Sequence, residues 1–159
     1  MLQILGIYLL STPLLEWIVL TAADASVVKK QTGSDVYRTL VDTGSSVDIL
    51  YLRAFKEMGF GPGTPLTPSM TVFSFSGDVY RPAGYALLRV ALEDGLRRER
   101  KQVNFILINA PSGYNAILER PSMAAFRMVP STFHLCIKFS TPFGIATIRG
   151  DRAEARKIF

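Results

Sequence analysis

From residue 27 onward the chain alternates short apolar, β-branched runs with clusters of Gly, Pro, Asp, Asn and Ser. Such punctuation favours strands of roughly 4–8 residues over long helices. Residues 27–28 begin a strand, 31–34 form a turn and 36–41 return as a strand. Residues 47–58 place Ile49, Leu50, Leu52, Phe55 and Met58 close to helical spacing and predict a helix. Gly59, Gly61, Pro62, Gly63, Pro65 and Pro68 end it in a loop. Residues 70–75 and 79–81 read as a hairpin across Ser76-Gly77-Asp78. Strands follow at 85–92 and 102–108, separated by a turn at Glu93-Asp94-Gly95, and a short apolar strand at 116–118. Residues 121–128 read as a helix with Pro121 in its first turn. Residues 135–139 and 145–148 make a last hairpin across 141–144, and the charged tail from Asp151 is expected to be helical. Many short strands with two or three short helices predict a mainly β fold, a small closed β-barrel.

At 159 residues the chain can bury one real core but not two sizeable ones. Apolar residues make up 48% and charged residues 19%, the profile of a folded domain and not of a disordered chain. Part of the basic excess behind the net charge of +5 clusters at Arg97, Arg98, Arg100 and Lys101, and part at Arg149, Arg152, Arg156 and Lys157. Clustered cations can track phosphates. No aromatic residue is interleaved with the first cluster, so the clusters read as a solvated turn and tail, and nucleic acid is not an expected partner. Cys136 and His134 are the only residues of their kinds, which excludes an intrachain disulfide and leaves too few ligands for zinc. A Cys136–His134 nucleophilic pair would lack a third group. No metal or cofactor is expected.

Residues 4–20 are strongly apolar, but Pro13 and Glu16 interrupt them, and the run is shorter than the roughly 20 residues of a bilayer span. Met1-Leu2-Gln3 lacks the positive charge that opens a secretory signal, although Ala22, Ala23 and Ala25 are compatible with cleavage. Residues 1–26 are therefore expected to be an extension without regular structure, or a helix packed on the domain. No membrane partner is expected. The domain itself is read as residues 27–150, and residues 151–159 as a tail.

One motif carries chemistry. Asp42-Thr43-Gly44-Ser45-Ser46 comes directly after the run at 36–41. Two carboxylates held about 3 Å apart cannot both ionise, so they share a proton; one then acts as base on water and the other as acid. The chain carries this triplet once, so a second aspartate would have to come from another copy. Gly44 would let the two loops approach, Thr43 would bond across to the partner loop, and Ser45 would hold the plane of the carboxylate. A plainer reading makes Asp42 a turn residue capping the next helix. The hairpin residues Phe73, Ser74, Phe75, Ser76 and Gly77 would serve as a flap over substrate, or as an ordinary surface hairpin.

Taken together, Leu40-Val41-Asp42-Thr43-Gly44-Ser45-Ser46-Val47-Asp48-Ile49-Leu50, Tyr114-Asn115-Ala116-Ile117-Leu118-Glu119-Arg120-Pro121 and Phe133-His134-Leu135-Cys136-Ile137-Lys138-Phe139 carry a resemblance. In this order they resemble the retropepsin-like aspartic protease domain of plant Ty3/gypsy-type retrotransposon polyproteins. The similarity runs from about residue 27 to residue 159. It implies a homodimeric β-barrel endopeptidase that cuts its own polyprotein, in the cytoplasm or a virus-like particle. Its partners would be a second copy and a polypeptide substrate. Asp42 would be catalytic, with Thr43, Gly44 and Ser45 completing the loop. Ile117 and Leu118 would form the apolar strand threading behind it, and residues 151–159 would lead toward a reverse transcriptase.

The family usually has glycine after the Ile-Leu pair, where this chain has Glu119. A carboxylate is costly to bury unpaired. Glu119 is thus expected to disturb the shared proton or the packing, with Arg120 as an offset, and Glu119→Gly to raise activity or dimer stability. On this ground the alternative function is a catalytically inactive dimerisation or peptide-binding domain from a transposon remnant.

Overall fold

The computed structural model describes residues 2–4, 7–10, 27–30, 33–60, 72–73, 79–80, 82–151, 153 and 156, and these form a mainly β structure. The strands are β1 (Leu2–Ile4), β2 (Ile7–Leu10), β3 (Val27–Lys30), β4 (Gly33–Val36), β5 (Thr39–Val41), β6 (Asp48–Tyr51), β7 (Val72–Phe73), β8 (Val79–Tyr80), β9 (Gly84–Glu93), β10 (Arg98–Ile108), β11 (Ala116–Leu118), β12 (Val129–Ser131), β13 (Cys136–Thr141) and β14 (Gly144–Arg149). Two helices, α1 (Leu52–Glu57) and α2 (Arg120–Phe126), come directly after β6 and β11. Ala153 and Arg156 in the tail are also helical.

The main sheet has the order β1-β5-β11-β6-β10-β9-β2-β4-β3; β12-β13-β14 form a second sheet and β7-β8 a two-stranded ladder. The long antiparallel pair β9–β10 is its backbone, with Ala86 opposite Phe105 and Leu88 opposite Val103. Period-two alternation buries Ala86, Leu88, Val90 and Leu92 on β9 and turns Leu87 outward. The turn between them is closed by Asp94, whose Oδ1 accepts the Leu96 and Arg97 amides at 3.1 and 2.7 Å, while Gly95 supplies a φ of 91°.

The core lies between the main sheet, α2 and the β13–β14 hairpin. Phe105, Phe126, Phe139 and Leu50 are fully buried in it. Each such side chain contributes about 1.5–3 kcal/mol of transfer free energy. Pro121 starts α2, and Arg127 ends it in the left-handed region at φ 51°. α2 packs on β10, β11 and β6 through Ser122, Met123 and Phe126.

The position of β11 in the main sheet decides what lies beside the Asp42 loop. β5 and β6 are neighbours in sequence, yet β11 is inserted between them, parallel to β5 and antiparallel to β6. Leu118 is level with Val41, and Ile117 with both Leu40 and Ile49. The residue after Leu118 is therefore delivered beside the loop that leaves Val41.

Several expectations change. The main sheet is open among the described residues: its end strands β1 and β3 do not pair, so no closed barrel is formed. The N-terminal run is not a helix at 2–4 and 7–10; β1 takes the edge of β5, and β2 inserts between β9 and β4, extending the sheet outward. The run at 36–41 is not one strand, because Arg38 at φ 53° breaks it into β4 and β5. The predicted helix at 47–58 begins as β6, since Asp48 and Leu50 alternate inward between β11 and β10 before α1 starts. Of the basic cluster at 97–101, Arg97 stays in the turn beside Asp94, while Arg98, Arg100 and Lys101 fall on β10, where Arg98 pairs with Glu93 and Lys101 with Glu99. Of the flap, Phe73 lies in β7, which pairs with β8 as a hairpin does; Ser74, Phe75, Ser76 and Gly77 lie outside the described residues. No described helix is long and apolar enough to cross a membrane.

Candidate functional site

Asp42 leaves the end of β5 and is half-buried, while Thr43 and Gly44 are exposed and Ser45 is half-buried. The loop is laid along the end of β11 by three successive contacts. The Asp42 amide donates to the Leu118 carbonyl at 2.9 Å. The Ser45 amide donates to Glu119 Oε2 at 2.9 Å. Arg120 returns a bond, its Nε donating to the Ser45 carbonyl at 2.8 Å.

Within the loop the Gly44 amide donates to Asp42 Oδ1 at 3.0 Å and sets the carboxylate plane. A Cβ at position 44 would lie 3.2 Å from that same oxygen, tighter than ordinary contact. A side chain here would displace that carboxylate, so the close approach glycine allows is to the chain's own aspartate. The Ser45 hydroxyl is used differently from the expectation, accepting the Val47 amide at 3.3 Å. The Ser45 backbone amide, and not its hydroxyl, ties the loop to the rest of the domain.

Two carboxyls lie behind the loop, Asp48 and Glu119, and only Glu119 is singled out in the sequence. Asp48 is 1% exposed, and its Oδ1 accepts the Glu119 amide at 2.7 Å. Burial pushes its pKa up to about 6, against the hydrogen bond from the Glu119 amide. Asp48 Oδ2 and Ser122 Oγ have no hydrogen-bond partner among the described residues. Glu119 is 3% exposed. Burial raises its pKa to about 7; the Ser45 amide and Arg120 work against that, and the charges of Asp42 and Asp48 add to it. Glu119 is therefore buried as the sequence suggests, but it is not unpaired. The signal for Asp48 was an ionisable residue inside the apolar run 47–50, directly after the loop.

Asn115 is the other hidden member. It is fully buried, and its Nδ2 donates to the Tyr37 carbonyl at 2.8 Å. Its backbone amide donates to the Arg38 carbonyl at 3.0 Å, and its carbonyl accepts the Tyr51 amide at 2.9 Å. Arg53 Nη2 donates to its Oδ1 at 2.6 Å. One residue thus satisfies the irregular backbone before β5 and links it to α1. Ile117 and Leu118 sit in β11 between β5 and β6, with Leu118 fully buried.

His134 and Cys136 do not form a pair: Leu135 at φ 49° separates them, His134 bonding Ser131 at the surface while Cys136 is buried. In comparison with known proteins, the chain matches no family model and no curated protein.

Proposed function

We propose that the chain is an aspartic-type endopeptidase of retropepsin-like type, active as a homodimer in which each copy supplies one Asp42. The observation that carries this reading is the Asp42 loop itself. A half-buried carboxylate is oriented by the Gly44 amide at 3.0 Å, and its loop lies against a strand inserted between β5 and β6. The other carboxyls beside it, Asp48 and Glu119, are too buried to meet a substrate. In this reading a second copy supplies the second working carboxylate.

In such a pair one Asp42 is ionised and the other carries the shared proton. The ionised carboxylate takes a proton from water as the water oxygen attacks the peptide carbonyl carbon. The protonated one gives its proton to the carbonyl oxygen. The proton taken from water then passes to the amide nitrogen as the C–N bond breaks, and one hydroxyl of the collapsing intermediate returns its proton to the second carboxylate, leaving the free acid and the dyad with its shared proton. No metal or cofactor enters this scheme. The physiological role that suits it is processing of a retrotransposon polyprotein.

The test uses the full chain and a peptide mixture read by mass spectrometry. Cleavage should be blocked by a pepstatin-like inhibitor and fall at least about a hundredfold in Asp42→Asn. Specific activity should rise with protein concentration, in step with dimer formation in size-exclusion chromatography. Parent-level cleavage by Asp42→Asn would sink the proposal. A stable dimer without cleavage would favour a non-catalytic dimerisation domain.

A further inference from the structure

We propose that Glu119 is a positioning residue for the Asp42 loop: its carboxyl anchors the loop through the Ser45 amide, and its own amide is anchored in turn on Asp48. This rests on the reading of Asp42 as the catalytic group. It reverses the direction that the sequence alone suggests for Glu119.

The geometry forms one continuous chain of bonds. Asp48 Oδ1 accepts the Glu119 amide at 2.7 Å, and Glu119 Oε2 accepts the Ser45 amide at 2.9 Å. Arg120 closes the other side on the Ser45 carbonyl at 2.8 Å. Residues 119 and 120 therefore bracket Ser45 on both its amide and its carbonyl, while Thr43 and Gly44 remain exposed. The loop has no apolar side chain of its own between residues 42 and 46 to pin it. A glycine at 119 would leave the Ser45 amide facing the protein interior without its acceptor, which is unfavourable. The ionisable groups facing the Glu119 carboxyl are Asp42 from the loop, Asp48 from β6 and Arg120 from α2. Burial among them keeps it protonated up to about pH 7, so in the acidic range the anchor is a neutral acid that adds no charge beside Asp42.

The experiment monitors the Ser45 amide by NMR in the full chain and measures peptide cleavage alongside it. In Glu119→Gly, exchange protection of the Ser45 amide should drop roughly tenfold or more, with the β9–β10 amides unchanged. The kcat should fall by a similar factor, with KM moving less, because the loop and not the substrate contacts is disturbed. Glu119→Gln keeps an acceptor and should restore most of the Ser45 protection. The parent Ser45 amide shift should titrate with a midpoint near 7, a step absent from Glu119→Gln. If Glu119→Gly does not fold, the Glu119→Gln titration decides alone. Unchanged Ser45 protection in folded Glu119→Gly, or a midpoint near 7 surviving in Glu119→Gln, overturns the assignment. If the parent shows no Asp42-dependent cleavage, the protease reading fails, while the amide measurements still decide whether Glu119 anchors the loop.

Discussion

Gly44 shows how much the site depends on single atoms. The aspartate is held by a hydrogen bond from Gly44, and a methyl group at that position would press on the same oxygen at 3.2 Å. Gly44→Ala is therefore expected to rotate the Asp42 carboxylate and lower kcat roughly tenfold or more. Because position 44 is exposed, thermal denaturation should register less than about 1 kcal/mol of change. Parent-like kcat in this variant would show that the plane of Asp42 is set by something else. The importance of glycine was legible in the motif, but the reason was not. The motif suggests a glycine that lets two loops meet, whereas its tightest neighbour is in its own loop. The same holds for Ser45, whose working atom is the backbone amide and not the hydroxyl.

At the level of elements, the insertion of β11 between β5 and β6 is what brings residue 119 to residue 45. Asn115 makes the insertion compatible with the break at Arg38. Two carbonyls from Tyr37 and Arg38 would otherwise lack these donors. Asn115→Ala should cost about 2–3 kcal/mol in chemical denaturation, since it removes a buried donor to the Tyr37 carbonyl and the acceptor of Arg53. A loss under about 0.5 kcal/mol would mean that water or a neighbour replaces the amide. Most elements from 84 to 149 were legible, because alternation, turn residues and a helix-starting proline all agree there. Sequence and structure part where local pattern and tertiary context conflict. The spacing in 47–58 fits a helix, yet the slot between β11 and β10 takes its first part as β6. The apolar N-terminal run has no period of its own, and the free edges of β5 and β9 recruit it as strands.

For the molecule as a whole, two carboxyls buried behind one loop make stability depend on pH. Asp48 and Glu119 bind their protons more tightly folded than unfolded, with pKa values raised from 3.8 to about 6 and from 4.5 to about 7. Their favourable contribution is complete below the unfolded values, and it is lost as pH rises through the folded ones. Unfolding free energy should fall on the order of a few kcal/mol between about pH 4.5 and pH 7.5 from these groups. Asp48→Asn keeps an acceptor for the Glu119 amide and removes one titration. Urea denaturation across this range should show a smaller fall in that variant, with a gain in stability at the alkaline end. An equal fall in both proteins would place the titrating groups elsewhere.

The residue order alone determined that the chain is mainly β, that a turn follows residue 92 and another joins the last two strands, and that Asp42 directly follows a strand. Those features are local: they rest on alternation, on turn-forming residues and on the spacing within one motif. Partner identity over long separations is not local. Glu119 meets Ser45 and Asp48, 74 and 71 residues away, because β11 enters between two strands that are adjacent in the chain. The open edge order of the sheet likewise depends on which strand finds which free edge. Burial then turned Glu119 from an apparent obstacle into a partnered group, because a carboxyl in the interior is tolerated only where backbone amides and its own proton satisfy it.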